Sequence, residues 1–172
     1  YTAKDILDGV NSMLSSEGTI SWDLAFHPYC APEQDSRFWN RTAAVTDDSS
    51  TQIITMSNIQ VLTDYVRQYG SEHHIILSEC GFSSYYPTEG KDLQAEQAAA
   101  IAYGYYIAET NPYIDNFIVH QLKDDANEMA GGWYLGLCNS DGSHKPAYAV
   151  FHEMDWKNNA WVQTAYCVVI SP

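Results

Sequence analysis

Basic residues are scarce in this chain: 8 Lys and Arg stand against 22 Asp and Glu in 172 residues, a formal net charge of -14 at pH 7. Such an excess repels phosphates, so nucleic acid and anionic membrane surfaces are excluded as partners and neutral or cationic ligands are favoured. Paired cysteines are missing too. Cys30, Cys80, Cys138 and Cys167 are widely spread with no C-x-x-C among them, which excludes a zinc ribbon and a thioredoxin-type motif; free buried thiols are expected in preference to a disulfide framework. No apolar run approaches membrane-spanning length, and Tyr1-Thr2-Ala3-Lys4-Asp5 lacks the charged-then-apolar layout of a signal peptide, so the opening reads as mid-protein sequence. P-loop, G-x-S-x-G and dinucleotide glycine motifs are absent, and no cofactor or metal set is expected.

What is present is enough for one soluble domain: 45% of the residues are hydrophobic. Thr2 to Leu14 spaces Ile6, Val10, Met13 and Leu14 as an amphipathic helix interrupted by Gly9. Ile20 to Phe26 reads as a strand stopped at His27-Pro28-Tyr29. A long polar loop to about Gln52 carries Arg37, Phe38, Trp39 and Asn40, the last opening a weak Asn40-Arg41-Thr42 sequon. A capping box at Ser57 to Gln60 predicts a helix with Ile59, Leu62, Val66 and Tyr69 on one face and a stop at Gly70. His74 to Phe82 is a buried strand ending in a carboxylate and a glycine, Glu79-Cys80-Gly81, followed by a loop from Phe82 to Asp92. Leu93 to Glu109 is an alanine-rich helix closed by Asn111-Pro112, Ile114 to His120 a third strand, and Pro146 starts a last helix. Val162 to Ile170 has strand composition without a fixed place.

The alternation of helix and strand implies parallel strands joined by right-handed crossovers, hence an α/β fold. Loops leading into strands are short. The three loops leaving strands are long and hold most of the His, Trp and acidic residues outside the helices, and in a parallel sheet they share one end. Glu79 belongs to that end and is the candidate catalytic group.

Three stretches carry a family resemblance: His27-Pro28-Tyr29, then Ser78-Glu79-Cys80-Gly81, then Gly132 to Leu137 running through Asp141 to Tyr148 into the last helix. In order and separation they resemble strands six, seven and eight of the clan A glycoside hydrolases. The resemblance implies a partial (β/α)8 TIM barrel over residues 1–154, a carboxyl-terminal part of a longer protein, with 155–172 as a tail holding a possible extra strand. It implies a retaining glycosidase acting on a neutral beta-linked oligosaccharide or polysaccharide, with Glu79 as nucleophile, Tyr29 holding its carboxylate and His27 lining the sugar site. Trp133 and Trp39 would stack on sugar rings, and Asn40 and His120 would meet hydroxyls. The parent protein would be extracellular or at the cell surface.

The resemblance also has gaps. No Asn-Glu pair stands where the family's acid/base belongs, since Asn127-Glu128 follows the last strand, and His120-Gln121 stands where many relatives carry tryptophan. A full barrel needs roughly 250 residues, so the chain is expected to be inactive alone and to associate with itself or with the missing barrel half. Other readings are a non-catalytic or degenerate barrel that binds carbohydrate, a compact three-layer scaffold, and a Cys80 nucleophile paired with His27 or His120. His73-His74 is expected solvated, at the end opposite the site. Asp124 and Asp125 are expected in a solvated loop with some capacity for a hard cation.

Overall fold

The computed structural model describes residues 3–18 and 20–154. The candidate strand at Val162 to Ile170, with the rest of the 155–172 tail, lies outside the described residues. The fold is built on the six-residue strand β2, Ile75–Cys80, which pairs in parallel with β1, Leu24–Phe26, on one side and with β5, Ile114–Val119, on the other. Leu24, Ile75 and Ile114 share one row and Phe26, Leu77 and Phe117 another. These rows face the helices, because in a strand alternate side chains leave on the same side. Ala25, Asn116 and Ile118 occupy the other face and are exposed.

The connections follow the expected alternation. Helix α2, Ile59–Val66, links β1 to β2, and α3, Gln94–Thr110, links β2 to β5. Both pack on the same face, and the core joins Ile59, Leu62 and Val66 of α2 to Ile75, Leu77 and Phe82 and to the alanine run Ala98–Ala102 of α3. Alanine there lets the helix lie close to the sheet. Gly104 continues this contact, since a Cβ at that position would stand 3.2 Å from the Phe117 ring. The final helix α5, Pro146–Glu153, starts on its proline and adds Ala147 and Val150 to the same core. The parallel strand-helix order places the chain in the α/β class, as a segment of a (β/α) barrel. Among the described residues the sheet is open at both edges and its second face carries exposed Ala25, Asn116 and Ile118.

Several local expectations shift. The capping box before α2 is centred two residues earlier, on Thr55: its hydroxyl accepts the Ser57 N–H, and the Asn58 side chain accepts the Thr55 N–H at 2.8 Å. Asn58 wins over Gln60 because its amide is fully buried and also donates to the carbonyls of Thr46 and Ile53. The loop after β2 contains a short antiparallel hairpin, β3, Tyr85–Tyr86, with β4, Lys91–Asp92. The loop after β5 contains a helical turn, α4, Ala126–Ala130. His73 is not solvated: it is 4% exposed, stacks on Trp22 and bonds the Trp22 carbonyl through Nδ1 at 2.8 Å. Its apolar ring edge fills the foot of the sheet. His74 pairs with Asp115 at the same end.

The first helix α1, Ala3–Ser16, matches its expected span but buries none of its residues. Its apolar side stays open, with Ile6 58% and Met13 61% exposed. It is tied down instead by Asp8, whose carboxylate accepts the hydroxyls of Tyr65 and Tyr69. Among the described residues no helix is long and apolar enough to cross a membrane.

Candidate active site

The carboxyl ends of the three parallel strands converge on Glu79. The regular β2–β5 pairing is interrupted between Leu77 and Cys80, so Ser78 and Glu79 stand outside the ladder, and such irregularities re-aim side chains. Glu79 therefore faces the strand-end cluster while its neighbour Cys80 turns into the core. Tyr29, three residues beyond β1, donates its hydroxyl to Glu79 Oε1 at 2.6 Å. His27 Nδ1 lies 3.0 Å from Oε2, and His120, the first residue after β5, places Nδ1 3.5 Å from Oε1. Residues 27, 29, 79 and 120 thus form one cluster from three strand ends.

Packing fixes this arrangement. The Tyr29 ring occupies the space where a Gly81 side chain would stand. Burial, reinforced by the hydrogen bond and the charge of Glu79, pushes the Tyr29 phenol far above the usual tyrosine range, so it is a stable donor. The long loop after β1 is braced by Arg37, which makes a two-pronged contact with Asp35 at 2.7 and 2.8 Å and reaches Glu89 beyond β3.

The loop after β5 supplies residues that the sequence did not assign to the site. Glu128, on α4, accepts from His120 Nε2 at 2.8 Å and from the Gln121 side-chain amide. Asp125 caps α4 by accepting the N–H groups of Asn127 and Glu128. The signal was present: Asp125 followed three residues later by Glu128 has the spacing of a capping box, which marks a helix start. Asp124, expected in a solvated loop, is buried. Its carboxylate accepts the Gly136 N–H and pairs at 2.8 Å with Lys145, whose ammonium also reaches Ser84 Oγ and the Tyr134 carbonyl. The physical reason is mutual: a buried ammonium needs an anionic partner, and burial lowers the Lys145 pKa against the opposing pull of Asp124. This pair clamps the loops after β2 and β5 together, assisted by buried Gln97, which donates to the carbonyls of Phe82 and Gly136.

Trp133 is half-buried, and its N–H donates to the Glu128 carbonyl at 2.9 Å. The preceding Gly132 has φ +89°, and a Cβ there would meet the Pro87 ring at 3.1 Å, so both the turn and the close approach require glycine. Trp39 packs edge-on against Phe38 at the core margin, and Asn40 is exposed. Neither belongs to the Glu79 hydrogen-bond cluster. Cys30 and Cys80 are buried, and desolvation pushes both thiols far above the usual range. Cys80 Sγ faces the Leu77 carbonyl, whereas the nitrogens of His120 face carboxylates, so a Cys–His nucleophile has no geometric basis.

A parallel strand-helix repeat that gathers His, Tyr and Glu at the carboxyl ends of its strands defines a segment of the (β/α)-barrel class. The chain belongs to the family described as "Family of unknown function (DUF5722)", which it matches over residues 1–171. No curated protein matches it. Among solved structures it is similar to a family 39 glycoside hydrolase from the gut symbiont Bacteroides cellulosilyticus WH2, with a TM-score of 0.55 and 22% identity. The likeness covers 78% of this chain and 27% of the hydrolase, so the chain spans about a quarter of that protein, and at this identity the likeness establishes fold.

Proposed function

We propose that this chain is the part of a retaining glycoside hydrolase that carries strands six to eight of the barrel, and that Glu79 is the nucleophile. The observation that carries this reading is the 2.6 Å bond from Tyr29 to Glu79 Oε1, made by a phenol that burial keeps protonated, at a carboxylate flanked by histidines from both neighbouring strands. Tyr29 holds Oε1 and His120 faces it. Oε2 is then the atom that attacks the anomeric carbon, because its neighbour His27 is half exposed and can give way to a sugar. The glycosyl ester that forms is later opened by water.

The proton for the leaving group comes from a second glutamate on the remainder of the barrel. Residues 1–154 act as the barrel portion. Trp133 offers an aromatic face to a sugar ring, with Trp39, Asn40 and His120 as further contacts along the same loops. The excess of negative charge suits a neutral beta-linked glycan. A secreted or surface-bound parent protein fits a polymeric substrate.

The test is covalent trapping in a full-length parent protein. A 2-deoxy-2-fluoro aryl glycoside should leave its sugar on the peptide containing Glu79, and Glu79→Gln should lose both the label and the release of aryl alcohol. A label on another carboxylate would sink the assignment. A second reading, a non-catalytic carbohydrate-binding barrel, is favoured by one observation: Glu128, the other carboxylate of the cluster, is engaged by His120 and Gln121 and is not free as an acid/base. That reading expects glycan binding without any adduct.

A further inference from the structure

We propose that Glu128 is a positioning residue of the Glu79 site, holding the His120 ring with its Nδ1 beside Glu79 Oε1; the proposal rests on Glu79 acting as the nucleophile. Both Glu128 oxygens are engaged, Oε1 by His120 Nε2 at 2.8 Å and Oε2 by the Gln121 amide, and the donors are the two residues that follow β5. Its main-chain carbonyl accepts the N–H groups of Gly131 and Trp133, each at 2.9 Å. Glu128 is thereby fixed from both its side chain and its backbone. A surface acid with only a solvation role needs none of these four contacts.

The consequence follows from imidazole chemistry. A carboxylate accepts and does not donate, so Glu128 requires a hydrogen on Nε2 of His120. With the ring fixed through Nε2, the other ring nitrogen stands 3.5 Å from Glu79 Oε1. The charged groups facing His120 are Glu79 from β2 and Glu128 from α4, while His27 and Tyr29 reach it through Glu79. The field of Glu128 extends to Tyr29, where it adds to the larger effects of burial and Glu79 in keeping the phenol protonated.

In the proposed reaction, Oε2 forms a bond to the anomeric carbon as the carbon–oxygen bond to the leaving group breaks, and the acid/base glutamate of the remaining barrel supplies the leaving group's proton. Oε1 becomes the ester carbonyl and keeps the hydrogen of Tyr29. When water attacks the anomeric carbon and gives a proton to the same acid/base, the electron pair of the breaking bond returns to Glu79. Tyr29 on Oε1 stabilises the departing carboxylate, and the His120 ring stands beside it. Glu128 touches neither sugar nor water and acts through His120.

The isosteric Glu128→Gln variant tests this in two proteins. In the 172-residue chain, Glu128→Gln should move the nitrogen-15 NMR signal of His120 Nε2, which loses its bond to a carboxylate, while the melting temperature stays near that of the parent sequence. In a full-length parent, turnover of an aryl glycoside should fall about 10- to 100-fold, the loss of one hydrogen bond to a charged group, with KM little changed and partial rescue by Glu128→Asp. Ring shifts unchanged by Glu128→Gln would overturn the proposal. The ring shifts are read without turnover, so hydrolysis that survives Glu79→Gln overturns the nucleophile reading by a separate measurement.

Discussion

Gly81→Ala probes the coupling between packing and the site most directly. A Cβ at Gly81 would stand 2.6 Å from Tyr29 Cε1 and 3.2 Å from Leu135 Cδ1. The backbone itself tolerates alanine, since Gly81 is not among the residues with positive φ, so the whole effect is the collision with the Tyr29 ring. Moving that ring costs about 1–3 kcal/mol of overpacking. It also lengthens the 2.6 Å bond to Glu79, and a hydrogen bond to a charged group contributes about 1.5–3 kcal/mol, taken at the lower end because Glu79 is partly exposed. Stiffening the unfolded chain returns about 0.4–1 kcal/mol. The net loss is about 2–4 kcal/mol, a fall of about 5–15 °C in Tm for a chain of this size. Urea denaturation of Gly81→Ala, Tyr29→Ala and the double variant measures it. With the ring removed, two of the three nearest atoms are gone and the third is the flexible end of Leu135, so the second substitution should cost less than about 1 kcal/mol. Additivity within about 0.5 kcal/mol would refute the reasoning.

Three further outcomes are expected. Lys145→Met leaves buried Asp124 with only the Gly136 N–H among its contacts described above, and should cost about 3–5 kcal/mol in denaturant titration, whereas Lys145→Met with Asp124→Asn should recover a large part of the loss. The Tyr29 phenol is raised in the folded state, so its contribution to stability is complete below the unfolded tyrosine pKa of about 10 and is lost as pH rises above it; absorbance at alkaline pH should record one delayed ionisation fewer in Tyr29→Phe. Tyr69, raised by burial and by Asp8, gives a second delayed ionisation that Tyr29→Phe leaves intact. Finally, the open edges of β1 and β5 and the bare faces bearing Ile6, Met13, Ile118 and Leu122 should make the isolated chain self-associate, and a monodisperse monomer by sedimentation would contradict this.

Much of the fold was legible because its signals are local. Helical spacing at Ile59, Leu62 and Val66, the alanine run of α3 and the Pro146 start each depend on a few adjacent residues, and the elements fall within a few residues of their expected bounds. The apolar run ending at Glu79 likewise announced a buried strand with an acid at its end. The hairpin β3–β4 and the turn α4 were missed because each is too short to display a period. His73 and Asp124 were misjudged for a different reason. Polar residues read as exposed until a distant partner is known, and their partners, Trp22 and Lys145, lie 51 and 21 residues away.

The sequence by itself determined the order of the three parallel strands and of the longer helices around them, and the end of the sheet at which Glu79 stands, because alternation and periodicity suffice for those. Only the tertiary structure decided what surrounds that carboxylate. Tyr29, His27 and His120 reach Glu79 from three separate strand ends, and Glu128 reaches it through His120 after a turn whose position depends on the buried Asp124–Lys145 clamp. Hydrogen bonds act over about 3 Å, and no spacing along a chain can specify a contact that short between residues this far apart.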